Sequence, residues 1–467
     1  MRVLSELLAR MRDGVELEAD VYLPDGAGPF PTLVERTPYN RRGTNHADRT
    51  RAEPQPRSKP EIAAQFASAG YAYVLQDCRG RYGSGGRFVK YLNEGADGFD
   101  TLAWVRDQPW SDGRIGTLGL SYGAHVQTAL AAHDPPGLKA MFIDSGGFSS
   151  AYHSGVRQGG ALELKQLTWA MKHALLAPET AADPIRRAAL ESQDLRRWLG
   201  VQPWREGASP LSAAPEYEAY VAEQWRRERF DDFWRRPEFH ARGHWGRFPD
   251  IPQAYVSSWY DPYAQLDGVL ADDYVALRRA WFDRHLRQRK GPDPLGVPVT
   301  YFMMGGGSGR KNRDGRLDHG GAWRTADAWP PPETRPERFY LGPSGTLLGQ
   351  APETDGALSY VHDPLSPVPT IGGAVASGAP FMVAGAFDQR ESDHVFASVS
   401  PGRAIAERPD VLAFETEPLL GPLEIAGGFE AHLWVSSDAP DTDIAITLID
   451  VHPPSHDYPQ GYAMNLA

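Results

Sequence analysis

Cysteine is almost absent from this chain: Cys78 stands alone among 467 residues. A single thiol cannot form an internal disulfide, so nothing here requires an oxidising compartment. Apolar runs long enough to span a bilayer are also absent. The first residues carry Arg2 and Glu6, too early and too charged for a secretory leader. The expectation is a soluble, cytoplasmic protein with no membrane partner. Positive charge is in deficit as well. Lys and Arg number 48 against 60 Asp and Glu, a net charge of −12. A phosphate-binding surface wants a basic stripe, so nucleic acid is excluded as a partner. No internal repeat or low-complexity tract occurs. Neighbours such as Asp318-His319 lack metal-ligand spacing. The glycine-rich turn Asp77–Gly86 lacks the Lys-Ser/Thr ending of a phosphate loop. No metal or organic cofactor is expected.

What the chain does have is a hydrophobic content of 41%, enough for substantial cores at a length that predicts more than one domain. The segment Arg114 to Val126 reads as a strand, a tight turn and a helix, with Gly119-x-Ser121-x-Gly123 at the turn. That pattern is a nucleophile elbow. The serine needs a sharp turn at the carboxyl end of a sheet. Glycines two residues to either side remove side chains that would collide there. The helix that follows aims its first amides at the site, where they can hold an oxyanion. An exposed serine in an ordinary strand–helix turn is the plainer alternative.

The rest of the chain supports a layered fold. Val15–Leu23, Pro31–Arg36, Tyr71–Gln76 and Leu138–Ile143 read as strands, with helices over Glu61–Ser68 and Asn93–Arg106 between them. Alternation of this kind implies a mostly parallel sheet. Residues 1–149 are the expected first part of an α/β-hydrolase domain. Residues 150–245 read as a helical cap, with stretches over Ala161–Leu175, Ala181–Leu199 and Glu216–Arg236. Residues 246–330 are the expected second part of the sheet domain, entered through the strand Gln253–Ser258. Asp261 follows that strand and opens a helix expected over Tyr263–Arg279. A carboxylate there fits the order Ser, acid, His, and equally fits a helix cap. Residues 331–467 carry short strands between proline-rich turns, a β-sandwich that reads as incomplete at its end.

The elbow with Tyr122 after Ser121, joined to Arg36-Thr37-Pro38-Tyr39, Asp77-Cys78-Arg79-Gly80 and Trp259-Tyr260-Asp261, resembles the cocaine esterase and X-Pro dipeptidyl-peptidase family. Ala386-Phe387-Asp388-Gln389-Arg390 and the run Trp434 to Asp443 resemble that family's sandwich domain. The resemblance covers nearly the whole chain. It implies a serine acyl-hydrolase with an α/β-hydrolase domain, a helical cap and a jelly-roll domain. The implied substrates are small esters, amino-acid esters or short peptides with proline second. It further implies Ser121 as nucleophile, Asp261 as the acid that orients the histidine, and an oxyanion hole from the Tyr39 hydroxyl and the Tyr122 amide. Tyr39 also reads as a turn tyrosine after proline. A homo-oligomer is left open.

The chain departs from the family at the base. The family places its histidine in a Gly-Pro-Trp-x-His segment at the end of a further strand, and no such segment occurs here. His319, after the strand Val297–Met304 and a glycine-rich loop, has the right chain order and also reads as a locally bonded loop residue. His285 lies on a helix. His125, one turn after Ser121, should pack along its helix. Two functions follow: an esterase or X-Pro peptidase, or an impaired relative that binds ligand without an effective base.

Overall fold

The structure is a computed structural model that describes residues 1–45, 55–147, 149–260, 273–373 and 381–466. Two compact units divide at Pro294/Leu295.

The first unit is built on a seven-stranded sheet. Its strands are β1 (Arg2–Arg10), β2 (Glu16–Leu23), β3 (Phe30–Thr37), β4 (Ala72–Asp77), β5 (Ser111–Leu120), β6 (Leu138–Asp144) and β7 (Gln253–Val256). The spatial order is β1-β2-β4-β3-β5-β6-β7. β1 and β2 run antiparallel, as do β2 and β4, and the remaining pairs are parallel. β3, β4 and β6, within the parallel part of the sheet, are buried on both faces, which is why they read as near-continuous apolar runs. β4 is buried at all six positions. β1 escaped the sequence reading because it is an edge strand that is exposed at most positions, so it carries no clear alternation.

Helices cover both faces, and strand alternation sorts the side chains between them. Val34, Val74, Ile115 and Ile143 join Leu102 and Val105 of α2 (Glu94–Arg106) and Leu130 of α3 (Tyr122–Ala131) in one core. On the other face the Phe66 ring of α1 (Lys59–Ser68) packs on Tyr73. Phe282 of α9 (Tyr274–His285) lies over Gly116, where an added Cβ would stand 2.7 Å from the Phe282 ring. α1 begins with a capping box between Ser58 and Glu61. All ten residues of α3 are buried, so the elbow helix is enclosed around its whole girth, its polar Gln127 bonded to Thr117 and to backbone carbonyls.

The cap holds α4 (Lys165–Leu175), α5 (Pro178–Ala181), α6 (Pro184–Glu191), α7 (Leu195–Leu199) and α8 (Pro215–Arg226). The long helices expected here are shorter and broken. Asp183 caps a new helix with Pro184 in its first turn, and Asp194 caps another. Residues 157–158 and 161–162 form a small hairpin where a helix start was expected.

In the second unit the regular elements are antiparallel pairs. β8 (Val299–Met303) pairs with β9 (Ala322–Ala326), β10 (Tyr340–Leu341) with β11 (Leu347–Leu348), and β12 (Ile449–His452) with β13 (Tyr462–Asn465). The fold class is thus an α/β-hydrolase sheet with a helical cap and a C-terminal β domain. Two expectations differ in detail. The strand after Gly296 belongs to a hairpin in the second unit, not to the parallel sheet, so the boundary between compact units lies before it and not near residue 330. The segments expected as strands over 411–415 and 430–435 form no ladder among the described residues. Trp434 there is 96% exposed, and without a facing layer its alternation has nothing to pack on. The Ala386–Arg390 motif is structural: Asp388 accepts from the Ala463 amide at 3.0 Å, and the Gln389 side chain donates to the Ile371 carbonyl and to Asn465.

Candidate active site

β5 delivers the chain to Ser121, and α3 leaves from Tyr122. Ser121 has φ 59 and ψ −113. A residue with a Cβ rarely adopts this, and such strain is a mark of functional turns. Three contacts hold it there. The Ser121 amide donates to the Asp144 carbonyl at 2.9 Å, while its own carbonyl accepts from the Ala124 and His125 amides. Three glycines make the crossing possible. A Cβ on Gly119 would lie 2.9 Å from the Gly123 carbonyl oxygen, and one on Gly146 would lie 2.3 Å from the Ser121 carbonyl oxygen. Gly123 is less crowded, its added Cβ meeting the Arg36 carbonyl at 3.4 Å. Gly146→Ala is therefore expected to push the elbow away from β6, costing about 1–3 kcal/mol. A thermal melt beside the Gly123→Ala variant checks this, with the larger loss at Gly146.

The Tyr39 hydroxyl lies 3.3 Å from Ser121 Oγ. Tyr39 sits in the loop after β3, at the carboxyl edge of the sheet where such folds keep their ligands. Its amide donates to Thr37 Oγ1 at 3.1 Å, and Asn40 beside it turns at φ 73. The Tyr122 amide and the Trp169 side chain also reach the Tyr39 hydroxyl. Burial pushes the phenol above its ordinary pKa, so it stays protonated and can donate. The Tyr122 amide is a first-turn group with no partner inside the helix. A hydroxyl donor and a first-turn amide next to the serine are groups of the kind that can hold an oxyanion.

The Tyr122 side chain points the other way, into a buried polar cluster. Its hydroxyl donates to Glu94 Oε1 at 2.9 Å and accepts from the Tyr91 amide at 2.7 Å. Glu94 pairs with Arg36 at 3.0 Å, both side chains 2% exposed. Burial raises the Glu94 carboxyl from 4.5 to about 7, with Arg36 opposing the rise. The folded state therefore binds this proton more tightly than the unfolded chain. Its contribution to stability is full below about pH 4.5 and is lost as the pH rises through about 7. Melting curves between those values should show that fall in the unaltered protein and a shallower one in Glu94→Gln.

The remaining residues expected at the site are not all brought together. Asp261 lies outside the described residues; β7 ends five residues before it at Val256. His319 lies in the second unit, in the connection between β8 and β9, with its ring edge-on to Phe302 at 6.1 Å. Its neighbour Asp318 accepts from Ser308 Oγ at 2.7 Å and from the Gly320 amide. The strand before His319 is β8, so His319 does not follow a strand of the parallel sheet. His125 is buried between aromatic rings, 4.3 Å from Tyr91, and burial followed by Lys90 lowers its pKa to about 3. His285 ends α9, tilted against the Trp281 ring at 4.0 Å and 3.8 Å from Asp293. Among the described residues of the first unit, no histidine nitrogen bonds to Ser121 Oγ. No group of three or more His, Cys, Asp or Glu among the described residues is arranged to hold a metal ion.

Sequence reasoning missed two buried residues packed around Tyr39 and Trp169. His173 of α4 lies 5.4 Å from the Tyr39 ring and 3.9 Å from Trp169. Burial, then Arg81, Lys90 and Lys172, holds it well below the ordinary histidine pKa. Lys90 is buried over the Trp169 ring at 4.1 Å and donates to Gln166 Oε1 at 2.9 Å. Desolvation lowers its pKa, with Lys165 acting in the same direction. Each looks ordinary in sequence, and only the cap's placement against Tyr39 gives it a position.

Comparison with known proteins shows the family. The family model for X-Pro dipeptidyl-peptidase (S15 family) matches residues 13–287, and that for the X-Pro dipeptidyl-peptidase C-terminal non-catalytic domain matches residues 297–466. A cocaine esterase from Rhodococcus sp. (strain MB1 Bresler) is 30% identical over 517 residues, covering 97% of this chain and 80% of that protein. The alignment is longer than this 467-residue chain, so the relative carries residues with no counterpart here. Two solved structures share the fold. An alpha-amino acid ester hydrolase labelled with selenomethionine aligns with TM-score 0.59 at 21% identity, covering 91% of this chain and 74% of that one. A CocE/NonD family hydrolase from Staphylococcus aureus aligns with TM-score 0.51 at 19% identity, covering 74% of this chain and 60% of that one. The chain therefore belongs to the cocaine esterase and X-Pro dipeptidyl-peptidase (S15) family of serine hydrolases.

Proposed function

We propose that this chain cleaves a small ester, or the bond after an X-Pro dipeptide, through an acyl-enzyme on Ser121. The observation that carries this is the strained Ser121 turn with the Tyr39 hydroxyl 3.3 Å from its Oγ. Ser121 Oγ attacks the carbonyl carbon while its proton passes to a base. The carbonyl oxygen takes up negative charge between the Tyr39 hydroxyl and the Tyr122 amide. The C–O or C–N bond breaks, and the leaving group takes the proton. Water then repeats the sequence and frees the acid. Chain order offers Asp261 as the orienting carboxylate and His319 as a candidate base, although the strand before His319 belongs to a hairpin and not to the parallel sheet. The substrate is a small ester or a short peptide, and the setting is cytoplasmic.

A second reading is favoured by one observation. Among the described residues β7 is the terminal strand of the sheet, and the Gly-Pro-Trp-x-His segment is absent from the sequence. A chain with the pocket and no effective base would bind ligand and turn it over slowly.

Hydrolysis of an activated aryl ester separates the two. Tyr39→Phe should lower kcat about 10²–10³-fold with KM little changed, because its hydroxyl acts only on the developing oxyanion. His319→Ala should lower kcat about 10⁴-fold if it is the base. Equal, background-level rates for the unaltered protein, Tyr39→Phe and His319→Ala would establish the ligand-binding reading instead.

A further inference from the structure

Arg81 lies in the turn after β4 and is fully buried. The turn is shaped to aim it inward. Gly80 has φ 65 and Tyr82 has φ 49, and a Cβ on Gly80 would lie 2.1 Å from the Phe88 amide nitrogen. The guanidinium meets no carboxylate among the described residues. Its Nε donates to the Pro38 carbonyl at 3.1 Å. Its Nη1 donates to the His173 carbonyl at 3.2 Å and to the Tyr217 hydroxyl. Nη2 has no hydrogen-bond partner among the described residues. The rings of Tyr82 and Phe88 lie 5.1 and 5.4 Å from the charge.

A buried guanidinium bonded only to neutral acceptors is a poor source of stability, since desolvation costs several kcal/mol per ion. Its geometry is what distinguishes it. Pro38 directly precedes Tyr39 in the chain. His173 lies against the Tyr39 ring in space. Tyr217 belongs to α8. One planar fork thus touches the oxyanion loop and two cap helices. A lysine could reach one of these acceptors but could not span all three.

We propose that Arg81 is a positioning residue: it ties the cap helices α4 and α8 to the Tyr39 loop, so that the cap holds the Tyr39 hydroxyl in place over Ser121. This rests on the hydrolase reading for its kinetic consequence, but not for the tie itself.

Hydrogen exchange on the full chain tests the tie without turnover. In Arg81→Lys, and more strongly in Arg81→Met, exchange should quicken together in peptides covering residues 37–43, 165–175 and 215–226, with β5 and β6 unchanged. Unchanged exchange in the Tyr39 loop and cap overturns the proposal, as does a rise spread evenly over the first unit. Ester hydrolysis tests the consequence. Arg81→Lys should lower kcat about 10²-fold, the scale of a displacement near 1 Å, with little change in KM. In a Tyr39→Phe background the same substitution should cost within about twofold, because its effect runs through the missing hydroxyl. A full penalty in that background overturns the proposal. If the unaltered chain hydrolyses no ester, the exchange result alone decides the tie, and the missing turnover counts against the hydrolase reading only.

Discussion

Ser121→Ala should reduce ester hydrolysis by about 10⁴–10⁶-fold, to the level set by binding and the oxyanion donors alone. The loss should appear in kcat, since the hydroxyl forms the bond that defines the acyl-enzyme. The fold should not suffer. Ser121 already carries a Cβ at φ 59 and caps α3 with no side-chain hydrogen bond. Removing Oγ takes away only the 3.3 Å contact with the Tyr39 hydroxyl. The melting temperature should stay near that of the unaltered protein, as for a change outside the core. An equal fall in stability and activity would point to a structural serine. Unchanged hydrolysis would remove Ser121 from the chemistry.

Arg36→Met should destabilise the first unit by about 3–5 kcal/mol above neutral pH, because it strands a buried carboxylate. Arg36 forms an ion pair with the Glu94 carboxylate at 3.0 Å, and it donates to the Glu94 backbone carbonyl at 2.9 Å and to Gln76 Oε1 at 2.9 Å. Glu94 in turn holds the Tyr122 hydroxyl, so the pair underlies the elbow helix. The penalty should depend on pH. Glu94 takes up a proton at about 7, and a neutral carboxyl is far less costly to leave unpaired. Urea unfolding of the variant should therefore show a large loss at pH 8 and a smaller one at pH 5.5. A loss independent of pH would mean that packing of the Arg36 stem, and not the charge of Glu94, is what the substitution removes.

The elbow was legible because its signal is local. Gly119, Ser121 and Gly123 lie within five residues, and a strand and a helix flank them in sequence. Tyr39 was legible only through the family motif around it, since nothing local distinguishes a tyrosine after proline. The buried cluster of Arg36, Gln76 and Glu94 was not legible, because its members are far apart in the chain and meet through sheet order. Arg81 was overlooked for a related reason. Its glycine-rich turn lacks the features of a phosphate loop, and nothing local in the sequence marks the arginine as inward-facing. The cap's breaks at Pro184 and Asp194 were readable in principle. The helical periodicity on either side of them masked the stops. The strand Val299–Met303 shows the sharper error. A buried apolar run after a helix looks like another parallel strand, yet it pairs with Ala322–Ala326 as a hairpin of the second unit. The argument for His319 rested on that strand and loses its sheet with it.

The central claim is that Ser121 is the nucleophile. The most direct measurement is mass spectrometry of the unaltered protein after treatment with a fluorophosphonate, which phosphonylates an activated serine and releases fluoride. The account predicts one adduct, on the tryptic peptide from Ile115 to Lys139, and none in Ser121→Ala. An adduct on another residue, or an unmodified Ser121 after prolonged treatment, would contradict it.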